Sequence, residues 1–272
     1  MYGSHPYASA AIAGLSGTVP APFAFVTKKL NLYYQNLLES GTVTVTSENT
    51  SFPKYRLYDR AQGLFFKGNT APSQFDIDLD LGAAYSYPGV DTIILPANHN
   101  FAGKAVRLYY SDNGTTYYQV LAWIAESALI LKSFSYAEHR YWRFRIDSPS
   151  SAPETGELFL TRLRSFERNP NWGYGYGKLK NVKRLESEAG YSQKTKWGSV
   201  RKRRRYHLTN MASSQRVDIE TFEDATESIK NFYIEDLEGN LFFADLPELL
   251  PDFVAEPIGR WGLDLLVQEV LD

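Results

Sequence analysis

The stretch FDIDLDLG at 75–82 alternates strictly, with Phe75, Ile77, Leu79 and Leu81 on one parity and Asp76, Asp78 and Asp80 on the other. Successive side chains of a β-strand point to opposite faces, so this pattern demands a strand with one face in a core. Similar segments follow at short intervals. They are GTVTVTS (41–47), VDTIILP (90–96), KAVRLYYS (104–111), TYYQVLAWI (116–124), ALILKSF (128–134), RYWRFRID (140–147) and GELFLTRLRSF (156–166). Turn clusters separate them, such as Ser111-Asp112-Asn113-Gly114, whose Asn-Gly tolerates the positive φ of a hairpin turn. Many short strands at regular spacing predict a mainly β chain built on a jelly-roll β-sandwich.

At 272 residues the chain is long enough for two domains. Residues 1–27 combine Gly, Ala, Ser, Pro and spaced Tyr without charge or period, and read as an extended arm, either loose or laid along a partner. The jelly roll is expected over 28–168 and a linker over 169–181, NPNWGYGYGKLKN. A second, smaller β-rich domain with one helix follows over 182–272. Its pieces are a strand in KWGSVRKRRRYHLTN (196–210), a helix over 213–229, a strand pair around DLEGN (236–240) and a closing strand in WGLDLLVQEVL (261–271). Ser213 or Ser214 would cap the helix, with Ile219, Phe222 and Ile229 as its buried stripe.

Several chemistries are excluded. Cysteine is absent, which removes disulfides, thiol nucleophiles and thiolate zinc sites. The four histidines, His5, His99, His139 and His207, are scattered without metal-ligand spacing. WGYGYGKL lacks the first Gly and the final Ser or Thr of a phosphate loop, and there is no dinucleotide fingerprint and no Gly-x-Ser-x-Gly elbow. The Asp76, Asp78, Asp80 row fails as a calcium loop, because Leu81 stands where the turn Gly is required and Tyr87 where the bidentate Glu belongs. As strand residues these aspartates form an outward acidic row. The expectation is a non-enzymatic protein without metal or cofactor. Lys28 is the first positively charged side chain and no run is long enough to span a bilayer, so neither a secretory leader nor membrane insertion is expected.

The order of segments SENTSFPKYRLYDR, FDIDLDLG, VDTIILP, VRLYYSDNGTTYYQV, HRYWRFRI and GELFLTRLR resembles the discoidin, or coagulation-factor C-type, domains of the galactose-binding-like jelly rolls. The resemblance covers roughly residues 40 to 166. It implies an eight-stranded jelly roll whose loops at one end bind glycans, lipids or protein in many members. Those loops correspond to about 48–54, 62–72 and 96–104, which makes Phe52, Phe65, Phe66, His99, Asn100 and Phe101 the candidate contacts. The competing reading makes these aromatics partly buried loop anchors. The terminal cysteine pair of many extracellular members is missing here.

The C-terminal pieces RKRRRYHLTN, SSQRVDIETFEDA, KNFYIEDLEGNLFFADL and WGLDLLVQEV, with the start MYGSHPYASAAIAGL, resemble more loosely bacteriophage tail structural proteins. Lys and Arg dominate between 178 and 205, whereas acidic residues outnumber basic ones from 218 onward. Two opposed patches suit a head-to-tail ring, with Arg201, Arg203, Arg204 and Arg205 of one copy against Glu220, Glu223 and Asp224 of the next. Pairing of the basic strand with the acidic half of its own chain is the alternative. The acidic remainder of the domain argues against a nucleic-acid backbone as partner. The sequence therefore suggests a homo-oligomeric component of a phage tail, of distal-tail or baseplate type, resident in the virion and docked to other tail proteins or a host surface. A carbohydrate-binding protein recognising a cell-surface glycan is the second reading, and a glycan-active enzyme with an appended binding domain is the third.

Overall fold

A computed structural model describes residues 28–270, apart from 62, 84–85, 167–168, 171–174, 180–181, 187–191, 197–200, 228, 248–249, 251 and 257–258. The expected arm, 1–27, lies outside the described residues. The first twelve strands are β1 (Asn31–Tyr33), β2 (Thr42–Val45), β3 (Phe66–Lys67), β4 (Gln74–Asp80), β5 (Val90–Leu95), β6 (Ala105–Ser111), β7 (Tyr118–Ile124), β8 (Ile130–Ala137), β9 (Tyr141–Asp147), β10 (Glu154–Thr155), β11 (Phe159–Thr161) and β12 (Arg164–Ser165). Then come β13 (Gly175–Leu179), β14 (Val182–Glu186), β15 (Ser192–Lys196), β16 (Arg201–Met211), α1 (Ser213–Thr226), β17 (Phe232–Glu235), β18 (Leu241–Asp245), β19 (Val254–Glu256) and β20 (Arg260–Glu269).

The chain is mainly β. A five-stranded sheet, β2-β4-β9-β6-β7, packs against a three-stranded sheet, β11-β5-β8, to form the β-sandwich. Phe75, Ile77 and Leu79 of β4 point into its core with Trp142, Phe144 and Ile146 of β9. The polar face of β4 is not a bare acidic row. Register sets Asp76 opposite Arg145 and Asp78 opposite Arg143. Arg145 grips Asp76 through two bonds of 2.7 Å, and Arg143 holds Asp78 at 2.6 and 2.8 Å. Arg140 closes on Asp80 at 2.8 and 3.1 Å, and this pairing holds the Asp80 carboxyl below its ordinary range. Tyr117 lies 3.9 Å from the Arg143 guanidinium carbon, so a cation–π contact covers the middle rung.

A second sheet runs in the order β12-β1-β17-β18-β20-β16-β13, with β19 added to β20. Three of its members differ from expectation, one of them β12, which falls within the segment assigned to the jelly roll and pairs with β1. β1 falls within the segment assigned to the jelly roll, yet it pairs with β12 and β17, because three residues are too few for alternation to show which sheet they join. β13 falls within the expected linker and pairs with β16, a backbone ladder that leaves no side-chain period to read. Residues 34–163 thus leave and re-enter this sheet through the neighbouring strands β1 and β12, and the sandwich is an insertion.

α1 covers one face of the second sheet through Ile219 and Phe222. Its N-cap is Ala212 with no side-chain bond, so neither Ser213 nor Ser214 caps it. Thr226 bonds back to the Phe222 carbonyl at 2.9 Å and Glu227 turns left-handed at φ 50°, ending the helix before Ile229, which is 76% exposed. The other face of the sheet meets the sandwich. Tyr33, Tyr233 and Phe243 pack there against Ile94 of β5 and Phe159 of β11. The strand β5 is therefore buried on both faces, which is why TIIL reads as an apolar run instead of alternating.

Arg60 clamps this junction. Its Nη1 donates to the Asn231 carbonyl at 2.5 Å, its own carbonyl accepts from Asn231 Nδ2 at 2.8 Å, and its side chain pairs with Glu39. Beside it, Glu157 is fully buried, and Glu157 Oε1 and Asp59 Oδ1 both accept the Ala61 N–H, at 3.1 and 3.0 Å. Burial, then the neighbouring Asp59, pushes the Glu157 carboxyl well above its ordinary 4.5. The unfolded chain loses this proton near 4.5 while the folded chain keeps it, so the folded state binds more protons and stability falls as pH rises from there toward the folded value. Urea unfolding between pH 5 and 8 is expected to show this decline, and Glu157→Gln should flatten it and raise stability at the upper end; an unchanged slope would remove Glu157 as its source.

Candidate functional site

The three loops expected to hold a ligand do converge at one end of the sandwich, and backbone hydrogen bonds stitch them together. Asn49 N–H donates to the Lys67 carbonyl at 3.1 Å, Lys67 N–H to the Phe52 carbonyl at 3.2 Å, and Gly68 N–H to the Pro153 carbonyl at 2.8 Å. Ser47 Oγ accepts from the N–H groups of Asn69 and Thr70 at 3.3 and 3.2 Å. On the third loop, Asn100 Nδ2 donates to the Ala152 carbonyl at 2.8 Å and Asn100 Oδ1 accepts the Glu154 N–H at 2.9 Å. The short β3–β10 ladder lies underneath and pairs Lys67 with Glu154.

The candidate contacts divide on this surface. Phe52 and Phe65 stack at 5.0 Å and 14° and remain partly open. The Arg56 guanidinium carbon lies 5.5 Å and the Lys67 ammonium 5.9 Å from the Phe52 ring centre, and Lys67 also pairs with Glu154 at 3.2 Å. Tyr55 and Leu64, which the sequence reading passed over, are both largely exposed beside them, at 51% and 45%. A Tyr one residue before Arg56 in a turn-rich loop was the only signal for them.

Phe66 and Phe101 are core residues, 0% and 1% exposed, and cannot touch a ligand on the surface. Phe66 of β3 is turned inward by strand parity and packs near Phe75, while Phe101, in the turn before β6, packs near Phe144. His99 stacks on Phe101 at 4.3 Å, and burial lowers its pKa below the ordinary histidine range. Asn100 is exposed, but its amide is engaged in holding the loop. Of the six candidates, two aromatics form a partly open platform, Phe66 and Phe101 belong to the core, His99 stacks on Phe101 and Asn100 holds its own loop.

The basic run is also divided by alternation. Arg205 is exposed and Arg203 half-buried on one side of β16, while Arg204 points inward. The Arg201 side chain lies outside the described residues. Arg204 forms an ion pair with Asp236, whose side chain is 1% exposed, and covers the Phe242 ring at 4.1 Å. Asp236 also accepts the N–H groups of Glu238 and Asn240, at 2.9 and 2.8 Å, which fixes the β17–β18 turn where Gly239 sits at φ 84°. Arg204 is thus an internal counter-ion and not a subunit contact. Glu220 is likewise engaged within the chain, by Arg216 at 2.7 Å, while Glu223 is half-buried and Asp224 exposed. Among the described residues no group of three or more His, Asp or Glu is arranged to hold a metal.

No family model matches the sequence, and no curated protein matches it. Solved structures with a partly similar path include chitosan-binding module 1 derived from a chitosanase/glucanase of Paenibacillus sp. IK-5, at 18% identity and TM-score 0.40, covering 46% of this chain and 98% of the module. Two modules from Clostridium perfringens are similar over 47% of this chain and 99% of their own. One is CpGH89CBM32-6, at 19% identity and TM-score 0.40. The other is CpGH89CBM32-5 in complex with GalNAc-β-1,3-galactose, at 15% and 0.39.

Removing Arg204 would strand the Asp236 charge in the interior, which costs about 3–5 kcal/mol. Arg204→Ala is expected to lower the unfolding free energy from urea titration by that amount, whereas Arg205→Ala stays within about 0.5 kcal/mol of the parent. Equal effects of the two would show that Arg204 carries no buried pairing.

Proposed function

We propose that the protein is a non-enzymatic glycan-binding protein whose sandwich recognises a sugar at its loop end. The observation that supports this most directly is the Phe52–Phe65 stack, partly open to solvent and rimmed by Arg56, Lys67 and Glu154. Aromatic faces cover the apolar C–H surface of a pyranose, while charged and amide groups at the rim bond its hydroxyls. Loops already pinned by Ser47, Asn49 and Asn100 lose little freedom on binding, so weak contacts convert efficiently into affinity. On an array of bacterial glycans the protein should bind a defined subset, and Phe65→Ala should weaken that binding about tenfold or more with the unfolding free energy within about 1 kcal/mol of the parent. Binding to no glycan, or binding indifferent to Phe65, would overturn this reading.

A second reading is favoured by the path of the chain. The second sheet holds both β1 and the C-terminal strands, so it is the scaffold, and the sandwich is an appendage on it. This suits a phage-tail component, of distal-tail or baseplate type, that assembles through the second sheet and displays a recognition module, with the virion as its location. Arg201, Arg203, Arg205, Glu223 and Asp224 are the remaining charged candidates for a subunit contact. Light scattering across a salt series should then give a discrete oligomer that weakens with salt and with Arg203→Glu and Arg205→Glu together. A monomer at every salt concentration would count against self-assembly.

A further inference from the structure

A cavity of about 170 Å³ lies between the first half of α1 and the strands β1 and β12, lined by Leu32, Tyr34, Phe166 and Ile219 and also by Arg164 and Asp218. Gln215 also lines it. This side chain is 3% exposed, and among the described residues neither its Oε1 nor its Nε2 has a hydrogen-bond partner. A buried primary amide without partners is costly, and it offers one acceptor and two donors, the complement of a peptide group.

The strand beside it is also incomplete. β12 is the outermost strand of the second sheet among the described residues. Phe166 donates its N–H to the Leu30 carbonyl at 3.1 Å, so the pairing opposite Leu30 is the hydrogen-bonded kind. Antiparallel alternation then turns the N–H and C=O of Ser165, opposite Asn31, away from β1 and toward the open side. An edge amide pair next to a buried, unpartnered glutamine above a partly apolar cavity is a receptor for one extended peptide strand.

The chain carries a suitable occupant. Residues 1–27 contain no Lys, Arg, Asp or Glu and supply Ile12, Leu15, Val19, Phe23 and Phe25 as apolar side chains. The described chain begins at Lys28, whose carbonyl accepts from Asn169 Nδ2 at 2.9 Å, only three residues beyond Phe166 of the cavity wall. The segment thus starts at the corner of the groove, and its extended reach of about 90 Å far exceeds what is needed. We propose that residues 1–27 of the same chain dock along the free edge of β12, with a main-chain amide of that segment held by Gln215 and an apolar side chain filling the cavity. Tethering at this short distance provides an effective concentration on the order of millimolar, which lets a modest contact form within one molecule.

Hydrogen exchange on the full chain, on a variant lacking residues 1–27 and on Gln215→Leu tests this. The peptide covering 163–166 should exchange about tenfold more slowly in the full chain than in the truncated one, together with one short stretch inside 1–27. Gln215→Leu should lose both protections while its unfolding midpoint holds or rises. Equal exchange at 163–166 with and without the segment would overturn the proposal, as would protection that survives Gln215→Leu. The protection should persist over a hundredfold dilution, about one molecule acting alone; its loss on dilution would assign the groove to a neighbour's segment and overturn the intramolecular docking.

Discussion

Phe159 meets Tyr233 edge to face at 5.0 Å and Phe243 at 6.2 Å, and the last two rings lie 4.8 Å apart. These contacts join a sandwich sheet to the second sheet, and much else depends on them. Aromatic pairs of this geometry contribute about 0.5–1.5 kcal/mol each beyond the area they bury. They require β5 and β11 to be apolar on both faces, and they place polar groups at the margin of the junction, where Arg60 can reach Asn231 and Glu39. Layer by layer, α1, the second sheet, the three-stranded sheet and the five-stranded sheet share continuous packing, so the loop platform is held by the whole stack.

Charge is handled by a different device in each part. On the open face of the sandwich, three arginines of one strand region each take one aspartate through two bonds, in partly screened surroundings where such pairs chiefly set register. In the second sheet a buried pair, Arg204 with Asp236, does the opposite work: it neutralises charge inside the domain, and the turn amides depend on its aspartate. The same residue types, dense in both segments of the sequence, therefore serve alignment in one place and internal neutralisation in the other.

The strands of the sandwich were legible because β4, β6 and β9 alternate, and a period of two is unambiguous once a core covers one face. Strand parity also contained a warning that loop position obscured: Phe65 and Phe66 are consecutive, so they cannot both face outward, and Phe66 belongs to the core, whereas Phe101 lies in a turn and had no parity to read. The pairing of Asp76, Asp78 and Asp80 with the arginines of RYWRFRI required the register between segments some 65 residues apart, which no local pattern encodes. For the same reason β1, β12 and β13 were invisible as members of the second sheet. Their partners lie far away in the chain, and the ladders that recruit them are made of backbone atoms common to every sequence. Ile229 failed as a helix residue because Thr226 and a left-handed Glu227 ended the helix first, a stop signal without Gly or Pro.

The two strands through which the sandwich departs and returns, β1 and β12, are hydrogen-bonded neighbours, about 5 Å apart. Any compact module whose ends lie side by side fits that gap without altering the remaining ladders. The insertion is therefore a socket: another module could be exchanged there by recombination, provided it brought an apolar patch to cover Tyr233 and Phe243. A module lacking that patch would leave the rings bare, so the exchange is limited by what touches the sheet and not by what the module recognises.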